Sequence, residues 1–144
     1  MTTDKYPKYF SCQVGSAVIA GIAKGAGMIE PNMATMLVYL MTDAELPKAA
    51  MRPMLRRIVD RTFNCMSIDT DTSTSDTVVL MANGLAGKCK LAQFERACCK
   101  CANISPGKSR SGEGATKLIT VDVRGAKTRR RPSAWRSVSL IRRW

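Results

Sequence analysis

Residues 17–42 read AVIAGIAKGAGMIEPNMATMLVYLMT, two apolar runs joined by a segment rich in glycine. The first run, residues 17–23, and the second, residues 35–42, have the length of strands. The second run is apolar throughout, which is typical of a strand buried on both faces. The segment between them holds two glycines, which permit positive φ, and Pro31, which marks a turn. These residues therefore predict two strands joined by an irregular loop.

Downstream of these strands the pattern changes to that of a helix. Apolar side chains recur at spacings of three to five between Leu46 and Phe63, with arginines mostly on the other side, which predicts an amphipathic helix with Pro53 near its start. Elsewhere we expect an irregular entry (1–13), a short strand (63–68) and a polar turn (69–76) that caps a helix (77–82). A third helix (91–103), a loop (105–114) and a last strand (117–123) follow. This order of elements predicts an α/β or α+β layered domain.

The charge of the chain is unevenly distributed. The 144 residues suit one ordinary domain with a hydrophobic core, and their net charge is +12. Seven of the 23 Lys/Arg and none of the 11 Asp/Glu lie in residues 127–144. We interpret this segment as a solvated, disordered basic tail, and nucleic-acid binding is the alternative that such a run leaves open. Residues 1–126 are expected to form the folded domain.

Six cysteines could form disulfides, bind a metal or pack as small apolar side chains: Cys12, Cys65, Cys89, Cys98, Cys99 and Cys101. A disulfide framework needs an oxidising compartment, and residues 14–23 only weakly imitate an export signal. The C-C-x-C spacing and the absence of histidine do not fit a zinc site. No apolar run approaches the ~18 residues of a membrane helix. We therefore expect reduced structural cysteines, no metal, no membrane contact and a cytoplasmic protein.

Taken singly, the short motifs are weak. The Lys24-Gly-Ala-Gly stretch does not have the pattern of a phosphate-binding loop and is typical of a structural turn. Residues 69–76 carry acids at both ends like a calcium loop, but they lack its central glycine and distal glutamate. Glu113 lies between two glycines in what is more often a turn than a site.

Together, four blocks are far more specific. They read TTDKYPK at residues 2–8, GIAKGAGMIEPNMATML at 21–37, DTDTSTSDT at 69–77 and GEGATK at 112–117. In this order and at these separations they resemble the ornithine acetyltransferase family, also called bifunctional glutamate N-acetyltransferases of arginine biosynthesis. The resemblance covers about residues 1–126, and residues 127–144 read as a tail outside the family pattern.

The resemblance implies a self-cleaving enzyme. Its precursor is cut between Ala34 and Thr35, so that Thr35 becomes an N-terminal residue whose amine, with a pKa near ~7.7–8.0, can activate its own hydroxyl. Thr35 then takes the acetyl group from N-acetylornithine as an ester and passes it to glutamate. Lys24 matches the lysine that contacts a substrate carboxylate, and Glu113 matches the acid that contacts a substrate amino group.

The same resemblance implies the rest of the assembly. It predicts an N-terminal-threonine-nucleophile fold, a heterotetramer of two α and two β chains, no metal and no organic cofactor, with acetyl-CoA as a possible donor in bifunctional members. Its partners are small molecules, with no nucleic acid and no membrane. The family's oxyanion pair lies upstream of the first block and its C-terminal domain beyond residue 126, so we expect this chain to be an incomplete domain that cleaves poorly.

Two alternatives from other classes stay open. An N-terminal-nucleophile aminopeptidase would share the fold and release amino acids from peptides. A small basic nucleic-acid-binding protein would use Trp135 and Trp144 among the arginines of the tail.

Overall fold

The chain enters the sheet earlier than the sequence indicates. The structure is a computed structural model, and it describes residues 7–25, 36–65 and 76–107. Strand β1, Lys8–Val14, lies where an irregular entry is expected, and it pairs antiparallel with β2, Ala17–Lys24. Gly15, with a φ of 62°, makes the tight turn between them. The expected loop over residues 1–13 is therefore wrong from Lys8 onward, because β1 alternates apolar and polar side chains and needs only a partner to become a strand.

Strand β3, Leu37–Thr42, confirms the second expected strand and pairs antiparallel with β2. The expected helix over residues 77–82 is wrong: Thr77–Ala82 is strand β4, which pairs in parallel with β3. Its first three residues are β-branched and favour an extended backbone. The sheet order is β1-β2-β3-β4, with the crossover between the parallel strands containing a helix.

Two α-helices lie on one face of this sheet in the described residues. Helix α1, Lys48–Arg61, confirms the amphipathic helix with Pro53 inside it, and α2, Leu91–Gly107, confirms the last one. Helix α2 runs beyond the expected end at 103, so the expected loop over 105–114 is wrong up to residue 107. Phe63–Cys65 forms a 3-10 turn after α1 in place of the expected strand start. No described helix combines the length and hydropathy needed to cross a bilayer.

The core lies between one face of the sheet and the helices. Helix α2 packs on β1, and α1 contacts α2. The fully buried side chains of this layer include Ile19, Val38, Leu40, Met54, Ile58 and Phe94. At the surface, Glu95 accepts hydrogen bonds from Arg57 and Arg61 and thereby links the two helices. The described part is thus a mixed α/β layer, which agrees with the expected fold class at that level.

The opposite face of the sheet is apolar and open to solvent. Tyr9, Ile22 and Tyr39 lie side by side across three strands, and Met41 pairs with Met81 one row further on. All five are exposed. The expectation that the second apolar run is buried on both faces is therefore wrong for β3, which buries only one face in the described structure.

The cysteines depart from the expectation in one place. Cys12 of β1 and Cys101 of α2 are joined as a disulfide, with their Cα atoms 6.7 Å apart. The expectation that all six are reduced is wrong for this pair, because the fold brings together two residues 89 positions apart that no spacing pattern connects. The remaining cysteines are free thiols. Among the described residues, no cluster of potential ligands could hold a metal ion.

Candidate functional site

Of the residues expected at the site, Lys24 lies within the described structure. It is the last residue of β2, and its side chain is exposed. In the β2–β3 register it stands opposite Leu37, the first residue of β3. Ala34, Thr35 and Glu113 lie outside the described residues. Since Leu37 follows Thr35 by two positions, the register brings Lys24 to the strand that begins directly after the expected cleavage site.

Gly25, the residue after Lys24, is held by a second lysine. The ammonium of Lys8, a side chain with 9% exposure, donates a hydrogen bond of 2.8 Å to the Gly25 carbonyl oxygen. Gly25 has a φ of 146°, a conformation that side chains other than glycine rarely adopt. A nearly buried charge needs such a partner to offset its lost hydration. Lys8 belongs to the first sequence block, but no local pattern around it predicts this contact.

Met36, the residue that follows Thr35, is fixed through both its amide and its carbonyl group. The Met36 amide donates a hydrogen bond to Oδ1 of Asp76. The Met36 carbonyl oxygen accepts a hydrogen bond of 3.0 Å from the Thr77 amide. Asp76 and Thr77 end the DTDTSTSDT block, so two of the four sequence blocks meet here. Met36 itself is buried, with 6% exposure, which secures the start of β3.

The second oxygen of Asp76 has no hydrogen-bond partner. Oδ2 is buried from solvent, and it is the one unpaired buried side-chain polar atom found in the described residues. Burial raises the pKa of the Asp76 carboxyl above its ordinary value, and the hydrogen bond from the Met36 amide offsets part of that rise. An unpaired buried carboxylate oxygen is unfavourable unless a cation or a proton donor meets it. Asp76 is thus suited to receive one.

These groups share one end of the sheet. The first residues of β1, β3 and β4 and the last residue of β2 lie there, as the pairing of Lys8 with Ala23 and of Leu37 with both Lys24 and Thr77 shows. The end therefore offers an exposed cation, a hydrogen-bonded Gly25 carbonyl and a carboxylate with one unpaired oxygen around the start of β3. The expected helix cap at Asp76 is wrong, because residues 77–82 form β4. The Asp76 carboxylate instead accepts a hydrogen bond from the distant Met36 amide.

The structure thus defines a mixed α/β domain with a polar site at one end of its sheet, and the sequence matches an enzyme family. Residues 1–138 match the ArgJ family. The chain belongs to the ArgJ family.

Individual relatives agree. The chain is 54% identical over 127 residues to the arginine biosynthesis bifunctional protein ArgJ 2 of Nostoc sp., covering 88% of this chain and 33% of that protein. It is 53% identical over 128 residues to the glutamate N-acetyltransferase Oat2 of Streptomyces clavuligerus, with 88% and 33% covered. It is 50% identical over 129 residues to the bifunctional ArgJ of Thermus thermophilus, with 89% and 34% covered. The chain spans about a third of the length of these curated relatives.

Proposed function

We propose that this chain carries the cleavage site and the nucleophile of an ArgJ enzyme that transfers an acetyl group from N-acetylornithine to glutamate. The observation that carries the proposal is the fixation of Met36 by Asp76 and Thr77, directly after the Ala34–Thr35 bond. A nucleophile works best when its backbone is held in place before the substrate arrives. The relatives' names supply the chemistry, since they include a glutamate N-acetyltransferase and bifunctional proteins of arginine biosynthesis.

One self-cleavage precedes a cycle of two steps. Cleavage between Ala34 and Thr35 leaves Thr35 with an α-amino group, which accepts the proton of the threonine hydroxyl as Oγ1 attacks the acetyl carbon of N-acetylornithine. The amide C–N bond breaks, ornithine takes the proton and leaves, and the acetyl group stays as an ester on Thr35. The amine of glutamate then attacks this ester, N-acetylglutamate leaves, and the hydroxyl recovers its proton. No metal or organic cofactor takes part, and acetyl-CoA can replace N-acetylornithine as donor in bifunctional members.

Asp76 is assigned a positioning role in this cycle. Its Oδ1 fixes the Met36 amide, and its unpaired Oδ2 is available to accept a hydrogen bond from the α-amino group of Thr35, the residue before Met36. Such a contact would orient the amine toward its own hydroxyl. Lys24 is assigned to a substrate carboxylate, since it is exposed at the same end of the sheet. Glu113 is assigned to a substrate amino group on the basis of the sequence blocks.

The proposal extends to the assembly and its location. The cleaved enzyme forms a heterotetramer of two α and two β chains in the cytoplasm, and the site is completed by polypeptide that corresponds to the other two thirds of the relatives. A test of the chemistry therefore combines residues of this chain with the remaining two thirds of a relative.

A chimera tests the proposal. Residues 1–126 replace the matched segment of the Thermus thermophilus protein, and intact-mass measurement follows the purified product. We expect cleavage with one product that starts at Thr35, and labelled acetyl transfer from N-acetylornithine to glutamate. Thr35→Ala should leave the chain uncut, and Lys24→Met should raise the KM for N-acetylornithine without affecting cleavage.

Other outcomes would contradict the proposal. A folded chimera that stays uncut, or that is cut elsewhere, would remove Thr35 from the mechanism. Release of amino acids from peptides without acetyl transfer would favour the aminopeptidase alternative. For Asp76, the Asn variant should change the pH profile of acetyl transfer while circular dichroism shows an unchanged fold, and an unaltered profile would exclude the positioning role.

A further inference from the structure

An open surface cavity of about 440 Å³ lies between β1 and α2, away from the end of the sheet that holds Lys24. It is lined by both members of the disulfide, two glutamines, two cations and an alanine: Cys12, Cys101, Gln13, Gln93, Arg96, Lys100 and Ala97. A small molecule that enters this cavity therefore meets the disulfide directly. The candidate acetyl-transfer site uses none of these residues.

The two sulfurs differ in access. Cys12 is partly exposed, whereas Cys101 has 5% exposure. A thiol arriving from the cavity therefore reaches Cys12, and Cys101 is the sulfur that is released. Burial raises the pKa of the Cys101 thiol, so the released sulfur takes up a proton and remains a thiol.

The neighbouring thiols, Cys98 and Cys99, are poorly placed to react with a small thiol or with this disulfide. Cys98 is fully buried, and burial raises its pKa to about 12, so it is a poor nucleophile. Cys99 contacts Arg61 of α1 and therefore lies toward that helix, and burial raises its pKa as well. Exchange at this face of α2 is thus confined to Cys12 and Cys101.

The rim of the cavity is positive. Arg96 and Lys100 lie four residues apart on α2, are both exposed, and have no carboxylate partner in the described structure. Glu95, the acid adjacent to Arg96, is occupied by Arg57 and Arg61 of the other helix. Gln13 and Gln93 add amide donors and acceptors. This set of groups favours an anion with polar substituents.

We propose that this cavity is a thiol–disulfide exchange site for small thiols that carry carboxylates. The thiolate RS⁻ attacks Sγ of Cys12, the Cys12–Cys101 bond breaks, and the electron pair leaves on Cys101, which takes a proton. A second RS⁻ then attacks the mixed disulfide, releases RSSR and leaves the Cys12 thiol. Overall, one protein disulfide and two RSH give two protein thiols and RSSR, and the same steps in reverse oxidise the pair.

Exchange at this site would control a covalent tie between sheet and helix. The disulfide links β1 to α2 across 89 residues of sequence. Helix α2 ends at Gly107, six residues before Glu113 in the chain. The inference stands on the disulfide, the cavity beside it and the cations of its rim, and it holds whether or not the chain transfers acetyl groups.

The test measures how the charge of the thiol affects the rate of reduction. The oxidised chain is treated with glutathione, 2-mercaptoethanol or cysteamine at low ionic strength, and alkylation with mass mapping follows the Cys12 and Cys101 thiols. At equal thiolate concentration we expect glutathione to react about 5–10-fold faster than cysteamine, because a charged cleft concentrates ions of opposite sign. Salt should remove the difference.

Matched variants locate the effect. The double variant Arg96→Gln, Lys100→Gln should lose the preference for glutathione, and Lys90→Gln, which changes an exposed cation outside the cavity, should keep it. The Cys101→Ser variant should trap glutathione on Cys12 when treated with oxidised glutathione. Equal rates for all three thiols, a preference that survives in the double variant, or a Cys101→Ser chain that carries no glutathione on Cys12 would each overturn the proposal.

Discussion

Reduction of the Cys12–Cys101 disulfide should cost the chain a large part of its stability. The disulfide closes a loop between residues that are 89 positions apart. In the chain-entropy description, a cross-link over a loop of this length lowers the free energy of folding by about 4.6 kcal/mol at 25 °C, because it restricts the unfolded chain. Small domains have a total stability of about 5–15 kcal/mol, so the effect is of the same order as the whole.

Urea unfolding with and without reductant measures this difference. With a slope of about 2 kcal/mol per molar urea, reduction should lower the midpoint by about 2 M. In a thermal scan the same difference corresponds to about 15 °C for a domain of this size. Cys12→Ser should reproduce the reduced midpoint in the presence or absence of reductant.

The control is a cysteine outside the pair. Cys65 is an exposed free thiol, so Cys65→Ser should unfold at the parent midpoint and should still respond to reductant. A shift on reduction smaller than about 1 kcal/mol would refute the reasoning, because it would place the loss far below the range of natural disulfides that close long loops. An equal response to reductant in Cys12→Ser would refute the assignment of the pair.

Three further changes test separate parts of the structure. Gly21→Ala should destabilise the chain by about 1–3 kcal/mol in urea unfolding, since a Cβ at Gly21 would overlap the ring of Phe10; an unchanged midpoint would show that the ring moves aside without cost. Glu95→Gln should flatten the acid side of the plot of stability against pH, because the hydrogen bond from Arg57 lowers the pKa of Glu95. The stability that Glu95 contributes is present above its unfolded pKa of about 4.3 and is lost as the pH falls. Asp76→Asn should remove a pH dependence of the opposite sign. Burial raises the pKa of Asp76, so above about pH 4 the folded chain binds more protons than the unfolded one. The stability that this residue contributes therefore falls as the pH rises through the folded pKa. Urea midpoints at several pH values separate the two, and a parallel shift of the whole profile in either variant would contradict its assignment.

The elements with strong local patterns could be predicted from the sequence. Strand β2 and helix α1 follow from an unbroken apolar run and from helical periodicity, which are properties of adjacent residues. Strand β4 could not be distinguished from a helix in this way, because the preceding Asp, Thr and Ser residues are typical of helix caps. Its β-branched start was the available signal, but the parallel pairing with β3 that decides it is a contact between distant parts of the chain.

The candidate site shows the same division. Lys24 could be assigned because it stands inside a recognisable block, whereas the roles of Lys8 and Asp76 arise only from contacts across the sheet. The disulfide is similar, since six cysteines allow many pairings and the sequence contains nothing that selects Cys12 with Cys101. In each case the assignment depends on a contact between residues that are far apart in the chain, and a local sequence pattern does not contain such a contact.

The parallel pairing of β4 also explains why separate sequence blocks can serve one site. If residues 77–82 formed a helix, Asp76 would have no fixed relation to Met36. As a strand parallel to β3, this segment begins at the same end of the sheet as β3, and its leading carboxylate reaches the Met36 amide. The antiparallel pairings of β1 and β2 bring Lys8 and Lys24 to that end as well. Three blocks that are widely separated in sequence therefore converge because of strand direction, and a substitution that disrupts β4 should affect the residue after Thr35 before it affects the helices.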